Sequence, residues 1–247
     1  MNKFEFFEAI EHYHTFQNPT SEEKLDLAID YCAIRDGMRV LDVGCGKGWL
    51  LRRIASRFDV QITGLDIHRA FAAEARQLAA AEGLNDRILI VQGPALNFEA
   101  PAAGFDVVTC IGASFALGGF EPALDWMGRH AKPDGMIAVR EVFAKVLPLP
   151  DNVPPHRRIG ALSLWTTADK IRAHGLLMRG IVESSVDDWN RYHSLHWQAA
   201  LDWALAHRNS PDAARMLDPE GQRCDLERDG RALGWAIFVA RKAPRNS

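Results

Sequence analysis

The sequence predicts an α/β fold in which helices cover both faces of a doubly wound, mostly parallel sheet. Three observations predict it. Short apolar runs at residues 38–43, 60–65, 87–91 and 105–111 alternate with stretches of helical periodicity, the order expected of βαβ units. The first run passes directly into Gly44, Gly46 and Gly48 ahead of a helix. A tight turn and bare backbone N–H groups therefore stand at that strand's carboxyl end. The second run ends in Asp66, which puts a carboxylate at the same edge of the sheet.

A chain of 247 residues, 47% of them hydrophobic, is long enough for one large domain or a core with a cap. A net charge of −3 leaves no basic field for a phosphate backbone and disfavours a nucleic-acid partner. Glu5 and Glu8 interrupt the first ten residues, which read neither as a signal peptide nor as an anchor. No apolar run reaches membrane-spanning length, so no membrane partner is expected. Cys32, Cys45, Cys110 and Cys224 are widely spaced and form no CxxC pair. They read as reduced thiols of a cytoplasmic protein, with no disulfide and no metal expected. The expected division is a helical N-terminal lid at 1–36 and a core domain at 37–247, with cap elements at 144–165 and 186–230.

In chain order, residues 3–14 predict a short helix with Phe4, Phe7, Ile10 and His14 on one stripe, ended by the Asn18-Pro19 turn. This helix is either docked on the surface or a lid. Thr20 and Glu23 form a capping box for a helix that buries Leu25, Ala28, Ile29 and Cys32. Beyond the glycines, Leu50, Leu51, Ile54, Ala55 and Phe58 supply the next apolar helix face. Asp66 is placed to accept from both hydroxyls of a ribose, because an ionised carboxylate is a pure two-oxygen acceptor. Preceding the helix at 68–82, it equally serves as a helix N-terminal charge. Gly83 caps that helix.

The strand at 105–111 is apolar throughout, as at the centre of a parallel sheet, and opens into the small-residue loop 112–119 that holds Ser114. Ligands of such sheets bind at these strand ends. A helix at 121–130 and the turn Lys132-Pro133-Asp134-Gly135 lead to a strand at 136–143 bearing Arg140 and Glu141. Glu141 either orients a substrate or acts as a base there, or pairs with Arg140. Residues 147–158 contain four prolines and read as a substrate lid. Its Arg157 and Arg158 either clamp a carboxylate or face solvent. A cap at Thr166/Thr167, a strand at 176–183 and the capping box Ser185-x-x-Asp188 follow. In the helix at 187–207, Trp189, Tyr192, His196, Ala200 and Trp203 share one face. Trp189 and Tyr192 lie nearest the strand ends and are candidates for a substrate wall. Residues 209–230 read as a short helix at 211–217 plus loop, and 233–241 as the last strand.

Residues 40–48, Val-Leu-Asp-Val-Gly-Cys-Gly-Lys-Gly, contain D-x-G-x-G-x-G, which resembles motif I of the class I S-adenosylmethionine (SAM)-dependent methyltransferases. A dinucleotide fingerprint would need glycine where Trp49 stands. Asp66 and the Lys-Pro-Asp-Gly turn resemble the same superfamily. The Asn-Pro-Thr-Ser-Glu-Glu-Lys stretch and Trp189-Asn-Arg-Tyr192 look like a bacterial subgroup that acts on small molecules. The resemblance runs from about residue 20 to 241.

It implies a seven-stranded sheet with an antiparallel last strand, plus helical N-terminal and insert elements forming a cap. It also implies SAM as cofactor at Asp42, Gly44, Cys45, Gly46, Gly48, Asp66, Ile67, Ala95 and Ile111, with Asp42 near the ligand's amino-acid end. Pro94 occupies the place expected of a carboxylate on the adenine amine, which leaves that contact to backbone, Gln92 or Asn97. The implied reaction is methyl transfer to a small-molecule nucleophile by in-line displacement. For a base the chain offers Glu141, His14 and His193, beside His12 and His196. For substrate contacts it offers Tyr13, Ser114, Arg157, Trp189 and Tyr192. The loop 112–119 lacks both the Asn/Asp-Pro-Pro-Tyr and the Pro-Cys signatures of nucleic-acid methylation. Two other readings stay open: an NAD-dependent oxidoreductase and a SAM-binding protein without catalysis.

Overall fold

A computed structural model describes residues 1–100, 103–151, 153 and 161–243. Arg157 and Arg158 lie outside the described residues. Seven strands form one sheet: β1 (Arg39–Val43), β2 (Gln61–Asp66), β3 (Ile88–Gln92), β4 (Phe105–Cys110), β5 (Ala131–Ala144), β6 (Leu176–Glu183) and β7 (Leu233–Lys242). Their order is β3-β2-β1-β4-β5-β7-β6. Pairs among the first five are parallel, and β7 runs antiparallel to both β5 and β6. The antiparallel strand inserted between β5 and β6 separates this sheet from the 3-2-1-4-5-6 order of dinucleotide-binding domains.

The strands feed helices that bury both sheet faces. On one face sit α2 (Glu22–Tyr31), α3 (Trp49–Arg57) and α4 (Arg69–Ala81), through Leu25, Ile29, Leu51, Ile54, Ala72 and Ala75. On the other sit α5 (Phe120–His130) and α6 (Leu164–Ala173), through Leu124, Met127 and Ile171. Leu51, Ile54, Leu124 and Ile171 are at most 1% exposed, and each such burial contributes roughly 1.5–3 kcal/mol. The strand order reverses between β1 and β4, so the carboxyl ends of these strands flank the crevice where ligands of doubly wound sheets bind.

Above that edge lie α1 (Lys3–Ile10), the long α7 (Val186–Ala206), the short α8 (Ala213–Met216) and α9 (Pro219–Arg228). Several local expectations are corrected here. The partly buried face of α1 holds Phe6, Ala9 and Ile10, which pack with Trp203 and Met216, while Phe4 and Phe7 are 47% and 37% exposed. The helix docks on α7 and α8, and that contact keeps Ile10 of the expected stripe but takes Phe6 and Ala9 in place of Phe4 and Phe7. Ser21 caps α2 by accepting from the Lys24 N–H, one residue later than the Thr20 box. Ser163 caps α6 in the same way, ahead of Thr166. The Lys-Pro-Asp-Gly turn is carried inside β5 as an irregularity of the ladder, with Asp134 at φ 62. Residues 219–228 are helical where a loop was expected, because the Asp218 side chain accepts from the Gly221 N–H and Pro219 opens the first turn. All four cysteines are free. Among the described residues, no helix is long and apolar enough to cross a membrane.

Candidate active site

The glycine loop is built by backbone geometry. Gly44 and Gly46 lie at φ +74 and +53, a region that favours residues without Cβ. A Cβ on Gly44 would stand 2.2 Å from Ala113 Cβ, and one on Gly46 would stand 2.1 Å from Gln17 Oε1. The Gly44 and Cys45 N–H groups donate to Leu65 O at 2.8 and 3.0 Å, which ties the loop to the end of β2. Gly48 ends the turn as the N-cap of α3. Burial pushes the Cys45 thiol well above its usual range, so it is held as a neutral packing group.

Two carboxylates border this loop. Asp66 accepts from Gly46 N–H and His68 N–H, both at 2.7 Å. Burial raises its carboxyl, and those two backbone donors act against the rise. They occupy two of the roughly four acceptor positions of a carboxylate, leaving capacity for a ribose diol. Asp42 is 3% exposed and accepts a 2.6 Å hydrogen bond from Thr109 Oγ1. Burial carries its carboxyl up to about 7, against the Thr109 bond and with help from the charge of Asp66. Ile67, 47% exposed, continues the edge beyond Asp66. Ala95 begins a short 3₁₀ turn after β3, and Ile111 follows β4. Gln92 Nε2 donates to Ile67 O at 3.3 Å and holds the β2 and β3 ends together.

The segment 11–20 crosses over the loop, and three of its anchors escaped the sequence reading. Lys47, 6% exposed, donates to Glu11 O at 3.0 Å and His12 O at 3.2 Å, and lies 3.6 Å from Glu74. Gln17 Oε1 accepts from Lys47 N–H at 3.4 Å, and Asn18 Nδ2 donates to Ile111 O at 3.2 Å. The signal for Lys47 was its place among the glycines, where a long cation reaches neighbouring carbonyls. Gln17 and Asn18 had no signal beyond the turn.

Past this strap opens a cavity of about 1160 Å³ between the ends of β4 and β5, α7 and the N-terminal segment. Ser114, Glu141, Trp189, Tyr192, His193 and Trp235 are among its walls. Glu141 Oε1 accepts from the Val142 N–H at 2.8 Å, and burial lifts its carboxyl above the usual range. His193 stacks between Trp189 and Trp197 and lies 3.2 Å from Asp229, whose carboxylate is gripped by Arg228. Two sequence candidates stand elsewhere. Tyr13 is 40% exposed and donates its hydroxyl to Asp202 at 2.7 Å, so it faces outward, away from any substrate. His14, 2% exposed, packs behind Tyr192 and is absent from the cavity wall. Burial lowers its pKa to about 4, which makes it a poor proton acceptor at neutral pH.

Comparison with known proteins agrees with this layout. Residues 40–135 match the family described as "Methyltransferase domain". The chain is 27% identical to YjhP of Escherichia coli (strain K12), over 94% of this chain and 96% of that one. It is 26% identical to the 27-O-demethylrifamycin SV methyltransferase of Amycolatopsis mediterranei (strain S699), over 93% and 88%. A SAM-dependent methyltransferase from Thiobacillus denitrificans, crystallised with S-adenosyl-L-homocysteine, superposes with a TM-score of 0.87 at 25% identity, covering 97% of this chain and 98% of that one. With the D-x-G-x-G-x-G loop at a sheet of order β3-β2-β1-β4-β5-β7-β6, these similarities lead to one conclusion: residues 40–135 carry a methyltransferase domain, and the chain has the class I, Rossmann-like fold of SAM-dependent methyltransferases.

Proposed function

We propose that the enzyme transfers the methyl group of SAM to a small-molecule nucleophile held in the cavity between β5, α7 and the N-terminal segment. The observation that carries this reading is the cavity itself: about 1160 Å³, walled by Trp189, Tyr192 and Trp235 and by Gln17, whose side chain also bonds the glycine loop at the Lys47 N–H. That is room for a small organic acceptor, and a net charge of −3 supplies no field for nucleic acid. The residues fit the cofactor. Gly44 and Gly46 leave a cradle that any side chain would fill, and Asp66 keeps acceptor capacity for a ribose. Ile67 and Ala95 offer an apolar edge for the adenine, whose polar contact falls to backbone, Gln92 or Asn97 because Pro94 carries no acceptor side chain.

When bound, SAM supplies an electrophilic sulfonium methyl. The chain supplies the rest. Trp189, Tyr192 and Ser114 position the acceptor, and such positioning is worth up to roughly 7–11 kcal/mol of barrier. Glu141, with its raised carboxyl at the cavity wall, takes the proton of an acceptor that arrives protonated. Residues 1–36 act as a lid and 186–230 as a cap; of the expected cap element at 144–165, residues 152 and 154–160 lie outside the described residues. The unpaired cysteines support a reducing, cytoplasmic setting.

The test is a screen for labelled methyl transfer from SAM across a metabolite extract of the source cell. A labelled small molecule lost in Glu141→Gln is the expected result. Binding of SAM with no transfer to any metabolite would favour a non-catalytic SAM-binding protein.

A further inference from the structure

Two clusters of metal-type donors lie among the described residues, Glu11–His14–His196 and His193–Asp225–Asp229. In the second, the Arg228 guanidinium bonds Asp229 at 2.6 and 2.8 Å and Asp225 at 2.7 Å, so a cation already fills it. Among the described residues, no Lys or Arg side chain bonds the Glu11 carboxylate, His14 or His196 of the first. Glu11 and His14 have side chains 5% and 0% exposed, and His14 Nδ1 lies 3.2 Å from Glu11 Oε2. Neither of these two atoms has a hydrogen-bond partner among the described residues. His196 Nε2 stands 2.9 Å from Glu11 Oε1. The other ring nitrogen of His14, Nε2, lies 3.1 Å from Tyr192 O, which can only accept. Nε2 therefore carries the proton, and Nδ1 turns its lone pair toward a carboxylate oxygen.

Two acceptors facing each other in a dry site repel unless something positive lies between them. Two ligands bound at 2.0–2.1 Å in a tetrahedral site stand about 3.3 Å apart, close to the 3.2 Å seen here. A ligating histidine also characteristically donates its second N–H to a backbone carbonyl, as His14 does.

We infer that Glu11, His14 and His196 form a binding site for a divalent transition-metal ion of the zinc class. Two imidazoles and a carboxylate are a donor set such an ion takes readily. Glu11 and His14 close the site from the protein side, while His196 and Tyr192 line the cavity, so an ion there would be reached from the substrate side. The Tyr192 hydroxyl donates to Glu11 Oε1 at 3.2 Å and braces the carboxylate. The inference stands on this cluster alone and does not depend on methyl transfer.

The test treats the full chain with chelator, then titrates it with cobalt(II) chloride followed by zinc chloride. Expected are visible ligand-field bands of a low-coordinate cobalt site that saturate at one ion per chain and are bleached by zinc. Glu11→Gln and His196→Gln should each abolish the bands, while His193→Gln keeps them. Circular dichroism checks that the variants fold, and the half-buried His196 is the substitution least able to disturb the core. Absence of stoichiometric bands in the parent protein would overturn the inference, leaving a proton shared between Glu11 and His14. So would bands that survive in folded His196→Gln, or that vanish only in His193→Gln.

Discussion

At the scale of single residues, two buried carboxyls make the chemistry testable. As the proposed base, Glu141 would work deprotonated, and burial raises its carboxyl. The acid limb of kcat/KM should therefore lie above the ordinary carboxylate range, with activity rising as pH passes through it. Glu141→Gln should cost about 10²–10⁴-fold in kcat/KM with SAM affinity unchanged, measured by steady-state kinetics and calorimetry. Asp42 gives a stability signature of its own. Its folded value of about 7 exceeds the ordinary 3.8, so the folded state holds an extra proton between those values. Stability from this group is full below about pH 4 and is lost as pH rises through 7, at about 1.4 kcal/mol per pH unit within the window. Asp42→Asn keeps an acceptor for Thr109 Oγ1 and should flatten that slope in cofactor-free denaturant titrations. A slope identical to that of the parent protein would show that Asp42 is not the titrating group.

At the scale of elements, the strap at residues 11–20 depends on Lys47. Lys47→Met removes the hydrogen bonds to Glu11 O and His12 O, and the unmet buried carbonyl of Glu11 alone costs roughly 1–3 kcal/mol. Hydrogen exchange in residues 3–19 should quicken in that variant. In the parent it should slow when cofactor product is bound; exchange indifferent to both would remove the lid. This strap was the least legible part of the chain. The strands and the capping box at Ser185 were readable because periodicity and cap chemistry are local. Gln17, Asn18 and Lys47 act across 30 to 93 positions of sequence, and no spacing encodes such a contact. The stripe of α1 was misjudged for the same reason: Phe4 and Phe6 are equally apolar, and only the distant α7 and α8 decide which is buried.

For the whole molecule, the glycine loop, the order of the sheet and the acid at Asp66 were legible because doubly wound folds place ligands at one edge whatever their substrates. The acceptor was not, since its cavity is walled by segments as far apart as Gln17 and Trp235. Tyr13 and Tyr192 illustrate the difference: both looked available, yet one binds Asp202 on the surface and the other lines the cavity. The central claim is that the edge formed by Gly44, Gly46 and Asp66 holds SAM. Calorimetric titration of SAM, with NADH as comparator, tests it directly in the parent chain, Gly46→Val and Asp66→Ala. The account predicts SAM binding without NADH binding, and loss of most SAM affinity in both variants, because a side chain at Gly46 meets Gln17 and Asp66→Ala removes the ribose acceptor. SAM affinity unchanged in folded Gly46→Val and Asp66→Ala would contradict it.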